Sequence, residues 1–140
     1  MGLKLNLRAN ERIVINGAVL TALKPTSILI NNQVAMLLER QIMRPEAVTT
    51  PARQIYFAIQ CAYMAEPAEK PRFLLNADSA ISQFAEASPT PEAQDLLSQI
   101  RRQVASSAYY DALKLCNTLI EYEESLLHRR PPGEQSASAG

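Results

Sequence analysis

The first 40 residues contain short stretches in which apolar and polar positions alternate. Leu3–Leu7 has this period of two, which is typical of a strand with one buried face. Two further apolar runs, residues 12–15 and 18–20, flank the dipeptide Asn16-Gly17. This dipeptide tolerates the two positive φ values of a type I′ turn. The pattern therefore predicts one strand followed by a tight hairpin.

Two more strands are predicted before residue 40. Residues 28–30 are apolar, and residues 34–38 follow the turn-forming residues 31–33. This gives about five strands, spaced as a meander of small hairpins. The segment 36–40 also fits a helix, so this alternative stays open for the last strand.

Beyond residue 48 the apolar positions recur at helical spacing. Thr50-Pro51 resembles a helix N-cap followed by proline at the first helical position, and Thr90-Pro91 repeats this signal. Further helices are predicted over residues 71–87 and after a kink near Ser106-Ser107. The expected inward positions are Ile55, Ile59, Ala62, Tyr63, Leu74, Ala77, Ile81, Phe84, Ala85, Ala93, Leu96, Leu97, Ile100, Val104, Tyr109, Ala112, Leu113, Cys116, Leu119, Ile120 and Leu127.

These patterns together predict an α+β fold. Residues 1–48 form a small antiparallel β unit of about five strands, and residues 49–130 form three or four antiparallel helices packed on it. Residues 131–140 contain Pro, Gly, Ser, Ala and Gln but no residue that would build a core, so they are expected to form a disordered tail.

The composition is that of an ordinary globular chain. Its 140 residues are 47% hydrophobic and 20% charged, enough for one compact unit. The N-terminus lacks the apolar region of a secretory signal, and no segment is apolar over the roughly 20 residues that span a bilayer. We therefore expect a cytoplasmic protein without a membrane segment, in which Cys61 and Cys116 are reduced core thiols.

The formal net charge of zero hides two halves of opposite charge. Residues 1–54 hold seven Lys or Arg against three Asp or Glu, a net charge of +4, and the remainder has a net charge of −4. A basic half is a hint of a polyanion partner. Four phosphate contacts would give a salt slope of roughly −3 on single-stranded RNA. A merely solvated basic face is the alternative. The candidate RNA-binding residues are Lys4, Arg8, Arg12, Arg40, Arg44 and Arg53.

Arg53 falls in the first turn of a predicted helix, where a cation gains nothing from the helix dipole. It should therefore either pair with Glu39 or Glu46, or face an anionic partner. No aromatic residue precedes Tyr56, so the strands cannot offer an aromatic stacking platform for RNA bases. Tyr56 and Tyr110 are candidate partner-binding residues if they point away from the helical core.

Catalytic chemistry is sparse. The only histidine, His128, lies at the end of the last predicted helix, where a cation complements the exposed carbonyls. The four glycines are too far apart to form a glycine-rich phosphate-binding loop. We expect no catalytic residue, no metal site and no cofactor, and hence no enzyme. Glu121, Glu123 and Glu124 are interpreted as a solvated face or a partner contact.

Several segments resemble a known family. They are Leu3-Lys4-Leu5, residues 11–19, Ile42-Met43, Pro45, residues 50–53 and Ile55-Tyr56-Phe57, which in this order resemble the FlbT family of flagellar regulators from alphaproteobacteria. The resemblance implies post-transcriptional control of flagellin: binding of the 5′ untranslated leader of flagellin mRNA and lower translation and stability of that message. Some members resemble activators, so the sign of the control stays open.

The resemblance also implies a working relation with flagellin and with the companion regulator FlaF. The rival hypothesis is therefore a protein-interaction or chaperone-like module whose helices bind flagellin or FlaF. A homodimer is a further expectation, because small β units often complete their sheets across a two-fold axis.

Overall fold

A computed structural model of the chain describes residues 2–128. It confirms the α+β fold, in which five short antiparallel strands precede four helices. The predicted tail, residues 131–140, lies outside the described residues. The elements are β1 (Leu3–Leu7), β2 (Arg12–Ile15), β3 (Ala18–Thr21), β4 (Thr26–Ile30), β5 (Met36–Leu38), α1 (Pro51–Met64), α2 (Lys70–Ala87), α3 (Pro91–Ala105) and α4 (Tyr109–Leu127). Two 3-10 turns, Glu39–Gln41 and Pro45–Ala47, connect β5 to α1.

The strands form two small sheets rather than the predicted meander. β1 pairs with β4, and the second sheet has the order β3-β2-β5. Only the β2–β3 hairpin joins strands that are consecutive in sequence, and its turn has positive φ at Asn16 (48°) and Gly17 (85°). The meander prediction was wrong because apolar side chains of β1 pack with those of β2 and β5 in one cluster, an arrangement that two packed sheets provide and a single open sheet does not.

Two hydrophobic clusters make up the core. The smaller one lies between the sheets and contains Leu5, Leu7, Ile13, Met36 and Leu38. Leu37 points to the other side of β5 and belongs to the larger, helical cluster. All three residues of β5 are at most 3% exposed, so this short strand joins the β unit to the helices.

The helix starts follow the predicted cap chemistry. Thr50 Oγ1 accepts the backbone N–H of Arg53 at 3.3 Å, and Thr90 Oγ1 accepts that of Ala93 at 3.2 Å. Such caps satisfy amides that lack a partner within the helix. The predicted break between the last two helices is also present, with Ser107 at a φ of 61°.

The last two turns of α4 differ from the predicted apolar stripe. Leu127, expected in the core, is 66% exposed, whereas Glu123 is only 6% exposed. Glu123 Oε2 accepts the backbone N–H of Ala52 at 3.0 Å. A carboxylate at a helix N-terminus is stabilised by the helix dipole. The predicted solvated face is therefore wrong for Glu123, which ties α4 to the start of α1.

Candidate nucleic-acid interface

Three of the predicted RNA-binding residues lie at one end of the β unit, where β1 ends and β2 begins. We call this end of the β unit, with Arg8, Arg12 and Arg40, the arginine end. Arg8 and Arg40 converge on Glu11: the backbone N–H of Arg8 donates to Glu11 Oε1 at 3.0 Å, and Arg40 forms a salt bridge with Glu11 Oε2. Arg12 begins β2 opposite Thr21. All three arginines are exposed, so three cations face solvent at this end of the β unit.

Glu11 stays ionised at neutral pH. The hydrogen bond from the Arg8 amide lowers the pKa of Glu11, and the Arg40 guanidinium acts in the same direction. Three guanidinium groups against the carboxylates of Glu11 and Glu39, the residue that follows β5 in register with Arg12, leave this end with a local charge of about +1, which is the sign that attracts phosphates.

The other three predicted residues are dispersed. Lys4 lies opposite Leu29 on the outer face of the first sheet, and Arg44 is exposed just before the second 3-10 turn. Arg53 is paired with neither Glu39 nor Glu46. Its Nη2 lies 3.2 Å from Oε2 of Glu124, because the end of α4 reaches the start of α1. The six cations thus do not form one continuous face.

A row of polar side chains on α1 holds the β unit against the helices. Tyr56, Gln60 and Tyr63 are spaced by four and three residues, so they share one side of the helix. Gln60 Oε1 accepts the Met43 N–H at 2.7 Å, while Gln60 Nε2 donates to the Met43 carbonyl at 3.0 Å. The Tyr63 hydroxyl accepts the Met36 N–H at 2.9 Å. The row satisfies backbone groups of β5 and of the segment that follows it.

Tyr56 does not point away from the core, which was the condition for its use as a partner anchor. It is 4% exposed, and its hydroxyl donates to the Gln41 carbonyl at 2.6 Å. Burial raises the pKa of Tyr56 to about 12. Tyr110 is half-buried, and its hydroxyl accepts from Gln41 Nε2 at 2.8 Å. Both tyrosines therefore contribute to the junction between the two halves.

Sequence reasoning missed the role of Gln60. Gln60 is a polar residue within the apolar run of α1, yet it is 7% exposed and makes two hydrogen bonds to one residue of the connecting segment. The available signal was its position between Tyr56 and Tyr63 on one helical face.

Two cysteines lie within residues 2–128. Cys116 is buried and Cys61 partly so, and burial raises the pKa of both thiols, that of Cys116 to about 12. Across this part of the chain, no group of three or more His, Cys, Asp or Glu is placed to hold a metal ion. Among the described helices, none is both long and apolar enough to cross a bilayer.

The sequence comparisons decide the family. The family model described as "Flagellar protein FlbT" matches residues 3–127, which is nearly the whole described chain. The chain belongs to the FlbT family. The match covers the β unit, the junction and all four helices, so the family's sequence pattern extends over both halves of the fold.

Curated relatives of this FlbT-family chain agree with the match. The "Flagellum biosynthesis repressor protein FlbT" of Caulobacter vibrioides is 35% identical over 128 residues, covering 91% of this chain and 90% of the relative. A probable FlbT repressor of Rhizobium leguminosarum bv. trifolii is 33% identical over 132 residues, covering 93% and 88%. One of Bradyrhizobium diazoefficiens, FlbT 2, is 36% identical over 129 residues, covering 89% and 91%. No solved structure matches the chain significantly.

Proposed function

We propose that this protein represses flagellin synthesis after transcription by binding the 5′ untranslated leader of flagellin mRNA. The observation that carries the proposal is the family match over residues 3–127, together with relatives named as repressors of flagellum biosynthesis. The proposal involves no catalytic step. Its target is mRNA, so it implies a cytoplasmic protein.

The charge distribution supports an RNA target. Lys4, Arg8, Arg12 and Arg44 are exposed, and none of them forms a salt bridge within residues 2–128. Exposed cations without a protein partner can contact phosphates without first breaking an ion pair. Arg40 and Arg53 would have to exchange Glu11 and Glu124 for a phosphate. We therefore expect the first four residues to contribute more to RNA affinity than the last two.

A fluorescence anisotropy titration of labelled flagellin leader RNA with the full chain tests the proposal. Binding should weaken as salt is raised, with a slope of log K against log salt near −3 if four phosphates are contacted. Arg8→Glu and Arg12→Glu should each weaken binding. Arg102→Glu, at an exposed position of α3, is the matched charge control and should leave binding unchanged. Absence of binding by the wild type at low salt would refute the proposal.

A groove between α1 and α2 favours a second candidate function, a module that binds flagellin or FlaF. It has a volume of about 310 Å³ and is lined by the half-buried Phe57 and Phe73, among others. The test is capture of purified flagellin or FlaF by the full chain after ribonuclease treatment. A fragment lacking α1 is unsuitable, because α1 supplies Ile55 and Ile59 to the helical core. Failure to capture either protein would exclude this candidate.

A further inference from the structure

A cleft opens where the β unit meets the helices, at the end of the β unit opposite the arginine end. It has a volume of about 540 Å³. Leu3 at the start of β1 lines the cleft, whereas Arg8 follows the end of that strand. The two regions are therefore separated by roughly 17 Å at about 3.3 Å per residue. The side chains that define its chemistry are Tyr63, Lys70, Tyr109, Tyr110, Asp111 and Lys114 on the helical wall, and Asn16, Asn32 and Gln33 on the β wall.

The helical wall presents two lysines beside tyrosine rings. The Lys70 ammonium lies 4.7 Å from the ring centroid of Tyr109, and the Lys114 ammonium lies 5.3 Å from that of Tyr110. Cation–π contacts of this kind contribute about 0.5–1 kcal/mol at exposed sites, so they bias both ammonium groups toward the cleft. The one carboxylate among the lining residues, Asp111, lies 3.7 Å from Lys114. The wall therefore keeps a positive charge within an otherwise acidic helical half.

The β wall presents side-chain amides. Asn32 and Gln33 lie exposed in the turn between β4 and β5, and an amide offers both a donor and an acceptor to a base edge. This turn leads directly into Val34 and Met36, whose backbone carbonyl and amide both bond to the Tyr63 hydroxyl. The amides are thus mounted on a segment that α1 holds in place.

We propose that this junction cleft binds a nucleotide segment of single-stranded RNA, with Lys70 and Lys114 contacting phosphates and Asn32 and Gln33 hydrogen-bonding to base edges. The inference rests on the proposed RNA-binding function and names a site for it that is distinct from the arginine end. It does not require base stacking, because Tyr109 is only 7% exposed and already has Lys70 over its ring.

The polar groups of the cleft match those that single-stranded RNA uses. Beside apolar residues such as Leu3, Ile30 and Val34, the cleft is lined by two ammonium groups, three side-chain amides and three tyrosines. Unpaired bases and phosphates of a single strand use cationic and amide partners of this kind. A leader RNA lying along the β unit would reach both the arginine end and the cleft.

The test uses the full chain, the labelled flagellin leader RNA and a salt series. Lys70→Gln should reduce the salt slope by about 0.7 and the affinity at 0.15 M salt by roughly three- to five-fold. Lys114→Gln should have a smaller effect of the same kind, because Lys114 must first leave Asp111. The double substitution Asn32→Ala with Gln33→Ala should weaken binding without changing the slope. Arg102→Gln, which removes an exposed cation of α3 that does not line the cleft, should change neither.

The outcomes separate the two proposals. If the wild type binds RNA and the cleft variants bind as Arg102→Gln does, the cleft inference is wrong and the proposed function stands. If the wild type binds no RNA at low salt, both are wrong. If the cleft variants keep RNA affinity but lose capture of purified flagellin, the occupant is a protein and the inference is overturned. Thermal unfolding confirms that each variant folds, and Lys70→Arg should restore binding, because it keeps the charge.

Discussion

The hydrogen bonds between Gln60 and Met43 lead to a specific prediction about what holds the β unit against the helices. We consider Gln60→Met, which keeps the length of the side chain but removes its donor and its acceptor. Gln60 is 7% exposed and bonds to the Met43 amide and carbonyl at 2.7 and 3.0 Å. The substitution therefore leaves two backbone groups without their partner.

The expected loss of stability follows from these two bonds. A net contribution of about 0.5–1.5 kcal/mol for each bond, with a further cost for the unsatisfied backbone groups, gives a loss of about 2–4 kcal/mol. With an m-value of about 2 kcal/mol/M in urea, the unfolding midpoint should fall by roughly 1–2 M. Hydrogen exchange at the Met43 amide should become faster by a similar free energy, because its acceptor is gone.

The matched control is Gln54→Met, on an exposed position of the same helix, which should change stability by less than about 0.5 kcal/mol. Urea unfolding followed by circular dichroism measures both variants. If Gln60→Met unfolds within about 0.5 kcal/mol of the wild type, the two hydrogen bonds do not hold the junction and the reasoning is refuted.

Three other substitutions test separate parts of the fold. Glu123→Ala should lower the free energy of unfolding by about 1–3 kcal/mol, because it leaves the buried Ala52 amide without an acceptor. Glu121→Ala, on the exposed side of α4, should leave the free energy of unfolding nearly unchanged. Equal urea midpoints for the two variants would contradict this role of Glu123. Burial raises the pKa of Tyr56 from 10.0 to about 12. The stability contributed by the buried, neutral phenol is therefore complete below pH 10 and is lost as the pH rises through 12. Stability measured across this window should therefore fall less in Tyr56→Phe than in the wild type, and equal slopes would count against the assignment. Gly17 has a φ of 85° with no atom within 4 Å of an added Cβ, so Gly17→Ala should cost roughly 1–2 kcal/mol through backbone strain alone; an unchanged melting temperature would contradict the positive-φ turn.

Features that depend on neighbouring residues were predictable from the sequence. The caps at Thr50 and Thr90, the turn at Asn16-Gly17 and the break near Ser107 all follow from chemistry within a few residues. The alternation along β1 likewise identified the buried side of that strand. These signals were enough to define the order of the elements and the α+β class.

Features that depend on residues far apart in the sequence were not predictable from the sequence. Pairing of β1 with β4 and of β2 with β5 joins residues 19 to 27 positions apart, and no local pattern distinguishes these pairs from a meander. The partner of Arg53 is Glu124, 71 residues away. Glu123 resembles its exposed neighbour Glu121 in sequence and differs only because the start of α1 lies above it.

In the candidate site, too, the sequence shows which residues are charged but not which of them lie together in the fold. Charge counting located a basic half, but only the fold shows that Arg8, Arg12 and Arg40 share one end of the β unit while Lys4 and Arg53 lie elsewhere. The junction cleft could not be predicted, since its lysines and tyrosines come from the helices and its amides from a β turn.

The central claim is that the protein itself represses translation through the flagellin leader. The most direct measurement is the yield of a reporter in a purified translation system, with the full chain added at increasing concentration. The account predicts that the yield falls when the reporter message bears the flagellin leader and stays constant when it bears an unrelated leader of equal length. Equal yields from both messages at every protein concentration would contradict it.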